Sequence, residues 1–348
     1  MTMSSKDAPS DAFVRAMPKV ELHLHIEGSL EPETMLALAE RNRITLPWAD
    51  VDALRAAYAF VDLQSFLDVY YAGASALQRA EDFHDLAWAW CERAAADNVQ
   101  HAEIFFDPQT HTDRGIALDV VVEGFVAALG RARGELGLTA ALIPCFLRHL
   151  SPEAAMATYL DCRRFGAHFV GFGLDSSERD RPPRLFEEVF TRLRADGFRA
   201  VAHAGEEGPP AYITEALDVL KVDRIDHGVR CLEDPALVQR LARDRIPLTV
   251  CPLSNVRLRV FDRIEDHNLA ALLDAGLVAT VNSDDPAYFG GYMSDNFLAV
   301  TRGLGLGHDA LRSLGEHGIA ASFADADRRA ELTAALQAHF AAIDPVAR

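Results

Sequence analysis

The chain has 348 residues, 49% of them hydrophobic, and carries 52 acidic against 34 basic side chains for a net charge of −18. It can bury a large core, and without clustered Lys and Arg it is not expected to bind a nucleic-acid backbone or an anionic membrane surface. A small neutral or weakly basic partner molecule suits this balance better.

Residues 1–12, MTMSSKDAPSDA, are polar and lack the apolar run of a signal peptide. They are expected to form a flexible tail ahead of one domain over 13–348. No stretch approaches the ~20 apolar residues of a membrane span. The five cysteines, Cys91, Cys145, Cys162, Cys231 and Cys251, are scattered and include no C-x-x-C pair. That is the pattern of a reduced, cytoplasmic protein using thiols as small core residues.

Over 19–25 the sequence KVELHLH alternates Val20, Leu22 and Leu24 against Glu21, His23 and His25. The alternation predicts a strand with His23 and His25 on one face. A loop over 29–32 leads into a helix over 32–42, and 45–98 carries helical periodicity that reads as an inserted block. Buried strands follow over 101–106, 140–147, 169–174, 200–203, 224–227, 248–251 and 278–281. Amphipathic helices separate them, over 119–136, 152–165, 185–196, 212–220, 235–244 and 267–275. Eight strand–helix units without repeats or linkers predict an α/β fold, a single (β/α)8 TIM barrel with a helical insertion after the first strand. A doubly wound open sheet is the alternative, since counting strands does not show closure. The segment 294–348 is helical and is expected to cap the barrel.

In such a barrel, chemistry gathers at the carboxyl ends of strands. His23 and His25 end the first strand, His203 the fifth and His227 the sixth, and Asp284 and Asp285 follow the eighth. Each motif alone has an ordinary structural use: a strand-end histidine can simply be hydrogen-bonded, and Asn282-Ser-Asp-Asp-Pro286 can be a turn or a helix cap. Together, His23, His25, His203 and Asp284 bring three nitrogens and a carboxylate oxygen to one mouth, a donor set that suits zinc with room for water. Glu206, beside His203 across the turn at Gly205, is placed to move a proton to or from a substrate nitrogen. His227 could orient or deprotonate a water at the metal, and Asp226 before it is expected to point the opposite way. H-E-x-x-H, H-x-E with P-C-x-x-C, and G-x-S-x-G are all absent. Gly171-Phe-Gly173 lacks the third glycine of a dinucleotide loop.

ELHLHIEG, VAHAGEE, RIDHG, VCPLSN and NSDDP, in this order, resemble the adenosine/adenine deaminase family, zinc enzymes of the amidohydrolase superfamily. The similarity runs over about 17–304. The resemblance implies one zinc ion per chain on His23, His25, His203 and Asp284. Glu206 would give a proton to a purine ring nitrogen, His227 would assist the attacking hydroxide, and Asp285 would bond another ring nitrogen. Two departures bear on substrate size. Glu27 stands where adenosine deaminases have an aspartate that meets ribose, and Ser176 stands at the glycine of their L-A-G-D-E segment. With the run FFDPQTHTDRG over 105–115, they are similar to the microbial adenine deaminase subgroup. A longer carboxylate at Glu27 and a larger side chain at Ser176 are expected to occupy the room of a ribose. The implied activity is hydrolysis of adenine, a small purine base, to hypoxanthine and ammonia. A deaminase of adenosine, another adenine nucleoside or an N6-substituted adenine is the alternative, and a non-catalytic purine-binding barrel the remote one. A homo-oligomer is compatible with all three.

Overall fold

A computed structural model describes residues 8–343. Eight parallel strands run in sequential order: β1 (Lys19–His25), β2 (Val99–Phe106), β3 (Thr139–Leu147), β4 (Gly171–Asp175), β5 (Arg199–Ala204), β6 (Arg224–His227), β7 (Pro247–Val250) and β8 (Val278–Val281). Each strand pairs with the next along the chain. The order has no switch point, which removes the doubly wound alternative.

Closure comes from the residues just past β8. The His25 amide donates to the Asp284 carbonyl (2.9 Å), the Asp284 amide to the His23 carbonyl (3.1 Å), and the Leu22 amide to Asn282 Oδ1 (2.8 Å). The seam that shuts the barrel therefore also presses Asp284 against the His23/His25 pair.

The strands are buried on both faces, as a parallel sheet wrapped in helices requires. Inside, Phe105, Ile143, Cys145 and Val201 form a small apolar layer beneath the histidines. Below it, Arg224 bridges to Glu103 Oε2 (2.6 Å) and to the Leu22 carbonyl (3.1 Å). Phe323 closes that end, its amide donating to Glu103. The C-terminal segment thus caps the bottom of the barrel, while helix His308–Ala321 packs outside between β8 and β1.

Several expected boundaries shift. Helix Asp11–Ala16 begins inside the expected tail, capped by Ser10, and residues 1–7 of that tail lie outside the described residues. The helix expected over 152–165 ends at Cys162 and tightens into a 3₁₀ turn, Arg163–His168. The inserted block is three helices, Val51–Ala57, Leu63–Ala74 and Ala80–Ala96. Among the described residues, no helix is long and apolar enough to cross a membrane.

Candidate active site

Strand ends deliver the polar residues to one mouth. His23 and His25 share a face of β1, as a period of two requires, and His203 is the last residue but one of β5. Asp284 Oδ1 lies 3.1 Å from His23 Nε2 and 3.6 Å from His25 Nε2, and His25 Nε2 lies 3.3 Å from His203 Nε2. All four side chains are buried.

Polar groups stand behind each ring. His23 Nδ1 meets Thr249 Oγ1 (3.0 Å), whose hydroxyl donates to Asp226 Oδ1 (2.9 Å), so the His23 proton belongs on Nδ1. His203 Nδ1 faces Asp226 Oδ2 (3.6 Å) and His25 Nδ1 faces Asp175 Oδ2 (3.5 Å). All three imidazoles turn Nε2 toward the same point, and His23 Nε2 there and His203 Nδ1 behind have no hydrogen-bond partner. Burial, the largest effect, drives His25 down to about 3, so it stays neutral. Burial works to raise Asp284, but His23, His227 and His25 outweigh it and hold the carboxyl well below its usual range. Three imidazole nitrogens and one carboxylate oxygen converging this way suit a divalent metal ion.

Asp226 does not point away as expected. It keeps the period of β6 with the inward Arg224, and His227 adopts a left-handed backbone (φ 61°) at the strand's end that brings its imidazole to the mouth as well. Both side chains then serve the mouth, Asp226 from beneath and His227 from the side. Burial alone would raise Asp226, yet the neighbouring His203, His23 and Arg224 bring it to about 2. Ser176 (φ 70°) and Asp284 (φ 64°) share this uncommon backbone, so three site residues sit where a non-glycine residue carries strain.

Glu206 is 5% exposed, its Oε1 has no hydrogen-bond partner, and its Oε2 lies 3.5 Å from His227 Nε2. Burial first, then the charges of Asp284 and Glu178, push its carboxyl well above the usual range, so it holds a proton. Burial and Asp284 do the same to Asp285. A Cβ on Gly28 would overlap the Asp285 carboxyl, so only glycine lets that turn approach so closely.

The turn bearing Glu206 is pinned by a residue the sequence reading missed. Glu178 accepts the amides of Gly205 (3.0 Å), Glu206 (2.8 Å) and Glu207 (3.1 Å). Behind His227, the Leu269 amide donates to His267 Nδ1 (3.1 Å), leaving His267 Nε2 to donate to Asn255 Oδ1 (3.2 Å). This turns the Asn255 amide nitrogen toward His227 Nδ1 (3.4 Å).

These groups open into a cavity of about 410 Å³, counting the part open to solvent. Helix Leu63–Ala74 of the inserted block walls it with Leu63, Phe66, Leu67, Tyr70 and Tyr71. Asp285 and Ser176 line it as expected, but Glu27 does not. The 3₁₀ turn Glu27–Ser29 carries Glu27 behind the wall, where its Oε1 accepts from His111 Nε2 (2.8 Å) and from the Asp107 amide (3.3 Å). Asp107 and Asp175, neither singled out from sequence, line the cavity instead. Cys251 is buried and its thiol is pushed well up by burial, in keeping with a core role.

A family model described as adenosine deaminase matches residues 18–339. An adenine deaminase of Geotalea uraniireducens is 60% identical over 88% of this chain and 87% of its own. One from Rhodospirillum rubrum is 57% identical over 95% and 99%. Among solved structures, an adenine deaminase from Arthrobacter aurescens superposes with a TM-score of 0.91 at 50% identity, covering 92% of this chain and 98% of that one. An amidohydrolase from Burkholderia ambifaria with bound zinc gives a TM-score of 0.90 at 31% identity, covering 99% and 95%.

Proposed function

The chain belongs to the adenosine deaminase family, in its adenine deaminase subgroup, and on that premise we propose that it hydrolyses adenine to hypoxanthine and ammonia with one zinc ion held by His23, His25, His203 and Asp284. The observation that carries the reading is the convergence of three imidazole Nε2 atoms and an Asp284 oxygen beside the buried Glu206 carboxyl. Zinc is the metal that suits this donor set, and it is the ion bound in the Burkholderia ambifaria relative. When bound there, it supplies a Lewis acid that makes water nucleophilic at neutral pH.

The chain's own groups do the rest. Glu206 gives its proton to the ring nitrogen beside the carbon that bears the amine, which makes that carbon electrophilic. Water adds to this carbon, and His227, neutral because burial holds it well below its ordinary range, orients the attack. One proton of the water passes to the departing amine, ammonia leaves, and as the ring carbonyl of hypoxanthine forms the other proton returns to Glu206. Asp285, protonated by its surroundings, donates to a second ring nitrogen and fixes the plane of the base. Leu63, Phe66 and Leu67 shield the mouth, which strengthens each of these polar contacts. The cytoplasm is the compartment that suits five buried cysteines, all free. Zinc analysis together with ammonia release from adenine tests the reading, and a zinc-loaded protein that releases none contradicts it.

A further inference from the structure

Glu206 must reach the substrate, yet no bond inside the site holds its side chain. Its Oε1 has no hydrogen-bond partner, and its Oε2 stands 3.5 Å from His227 Nε2, too far for a good hydrogen bond. Its aim is therefore set by the backbone that carries it. The neighbouring Glu207 is held differently. It accepts from the Ser177 hydroxyl (3.0 Å), pairs with Arg179 Nε (3.2 Å) and does not line the cavity.

Resting on the reading that Glu206 gives a proton to the ring, we propose that Glu178 is a positioning residue for that transfer. Its carboxyl gathers three successive amides of the Glu206 turn and so holds the acid at the ring nitrogen. Oε2 accepts from Gly205 (3.0 Å), and Oε1 accepts from Glu206 (2.8 Å) and Glu207 (3.1 Å). Glu178 is buried, so these bonds do not compete with water. Successive amides wrapped around one acceptor form a concave nest, which the chain adopts only where side chains leave room. Glycine supplies that room at both ends. Gly205 takes a left-handed φ of 76°, where a Cβ would also strike Ile213, and a Cβ on Gly208 would strike the Glu178 carboxyl.

The metal-facing histidine of the same strand has a separate anchor. Arg148, fully buried, donates from Nη1 to the His203 carbonyl (2.7 Å) and from Nε to the Arg181 carbonyl (3.0 Å). The Arg181 amide in turn donates to the Glu178 carbonyl (3.1 Å). The loop after β4 thus holds His203 through Arg148 and the Glu206 turn through Glu178. It sets the spacing between the two, and losing the Glu178 carboxyl frees the acid while Arg148 keeps its hold on His203.

The test measures kcat and KM for adenine, zinc content and melting temperature for wild type, Glu178→Gln, Glu178→Asp and Glu178→Ala. Each change is then repeated in a Glu206→Gln background. Glutamine keeps the shape but loses one acceptor oxygen, and should cost about 10-fold in kcat. Aspartate keeps the charge but withdraws it by one methylene, and alanine removes it. Each of these should cost at least ~30-fold, since a misplacement of about 1 Å can cost ~10²-fold. KM should move by less than ~3-fold and zinc should stay full, because Arg148 still holds His203. On top of Glu206→Gln the same changes should cost less than ~3-fold, because an acid already lost cannot be misplaced. Glutamine and aspartate carry the measurement if the alanine variant does not fold. Equal costs in both backgrounds overturn the proposal, as do loss of zinc in Glu178→Gln and wild-type kcat in the zinc-loaded variants. A Glu206→Gln protein as fast as wild type defeats instead the reading on which the proposal rests.

Discussion

Replacing Glu206 by glutamine separates its chemistry from its shape. The amide keeps the side chain's volume and its reach to His227 but has no proton to give. In the wild type, burial and Asp284 keep that proton on Glu206 at neutral pH, and Oε1 has no other partner that could deliver one in its place. General acid catalysis is worth about 10²–10⁴ in rate. At ~1.36 kcal/mol per tenfold, that is ~2.7–5.4 kcal/mol of barrier. Glu206→Gln should therefore lose at least ~10²-fold in kcat while keeping zinc and fold, since the residue is not among the four converging donors. The assay is hypoxanthine formation at saturating adenine, with metal content and melting temperature measured on the same preparation. The wild-type rate should also decline on the alkaline side as Glu206 loses its proton, a limb the variant lacks. A fully metallated variant within ~3-fold of wild type would remove Glu206 from proton transfer.

His23→Ala, His203→Ala and Asp284→Ala should each abolish turnover and lower bound zinc, and full zinc with normal rates in all three would end the ligand assignment. Asp226→Asn should weaken metal affinity by about 10–100-fold, because the carboxylate faces the back nitrogen of His203 (3.6 Å) and holds that of His23 through Thr249. Chelator competition measures this, and unchanged affinity would contradict it. His111 is driven to about 3 from 6.5 by burial, so between those values the unfolded chain binds the proton and the folded chain does not. Its contribution to stability is complete above pH 6.5 and is lost as pH falls toward 3. His111→Gln should therefore lose less stability than wild type on going from pH 7.5 to pH 5, by up to ~2 kcal/mol in paired denaturant titrations. Parallel losses would refute it.

The parts of the site that repeat with a strand's period could be read from sequence. His23 and His25 follow from alternation in β1, and the mouth positions of His203, Asp284 and Asp285 follow from where strands end. What alternation could not reach lies where the backbone leaves the strand. Asp226 keeps the period of β6 with the inward Arg224, and the φ of 61° at His227 is what brings that imidazole to the mouth beside it, while the 3₁₀ turn at Glu27 swings that carboxylate behind the wall. Asp107, Asp175 and Glu178 were invisible for another reason. Their partners lie far away in the chain, as when Glu178 accepts the amides of 205–207, and no local spacing announces such a contact. Barrel closure was equally illegible, because one seam of hydrogen bonds past β8 decides it.

The central claim is hydrolysis of the free base, and one comparison tests it most directly. On a single zinc-loaded preparation, kcat/KM is measured for adenine and for adenosine by ammonia release. A sugar at N9 would have to displace or desolvate a wall of buried carboxyls, and two units of ~1.4 kcal/mol already make a hundredfold preference. The account predicts ammonia and hypoxanthine from adenine, with adenosine at least ~100-fold poorer. Equal efficiencies, or a preference for adenosine, would contradict it.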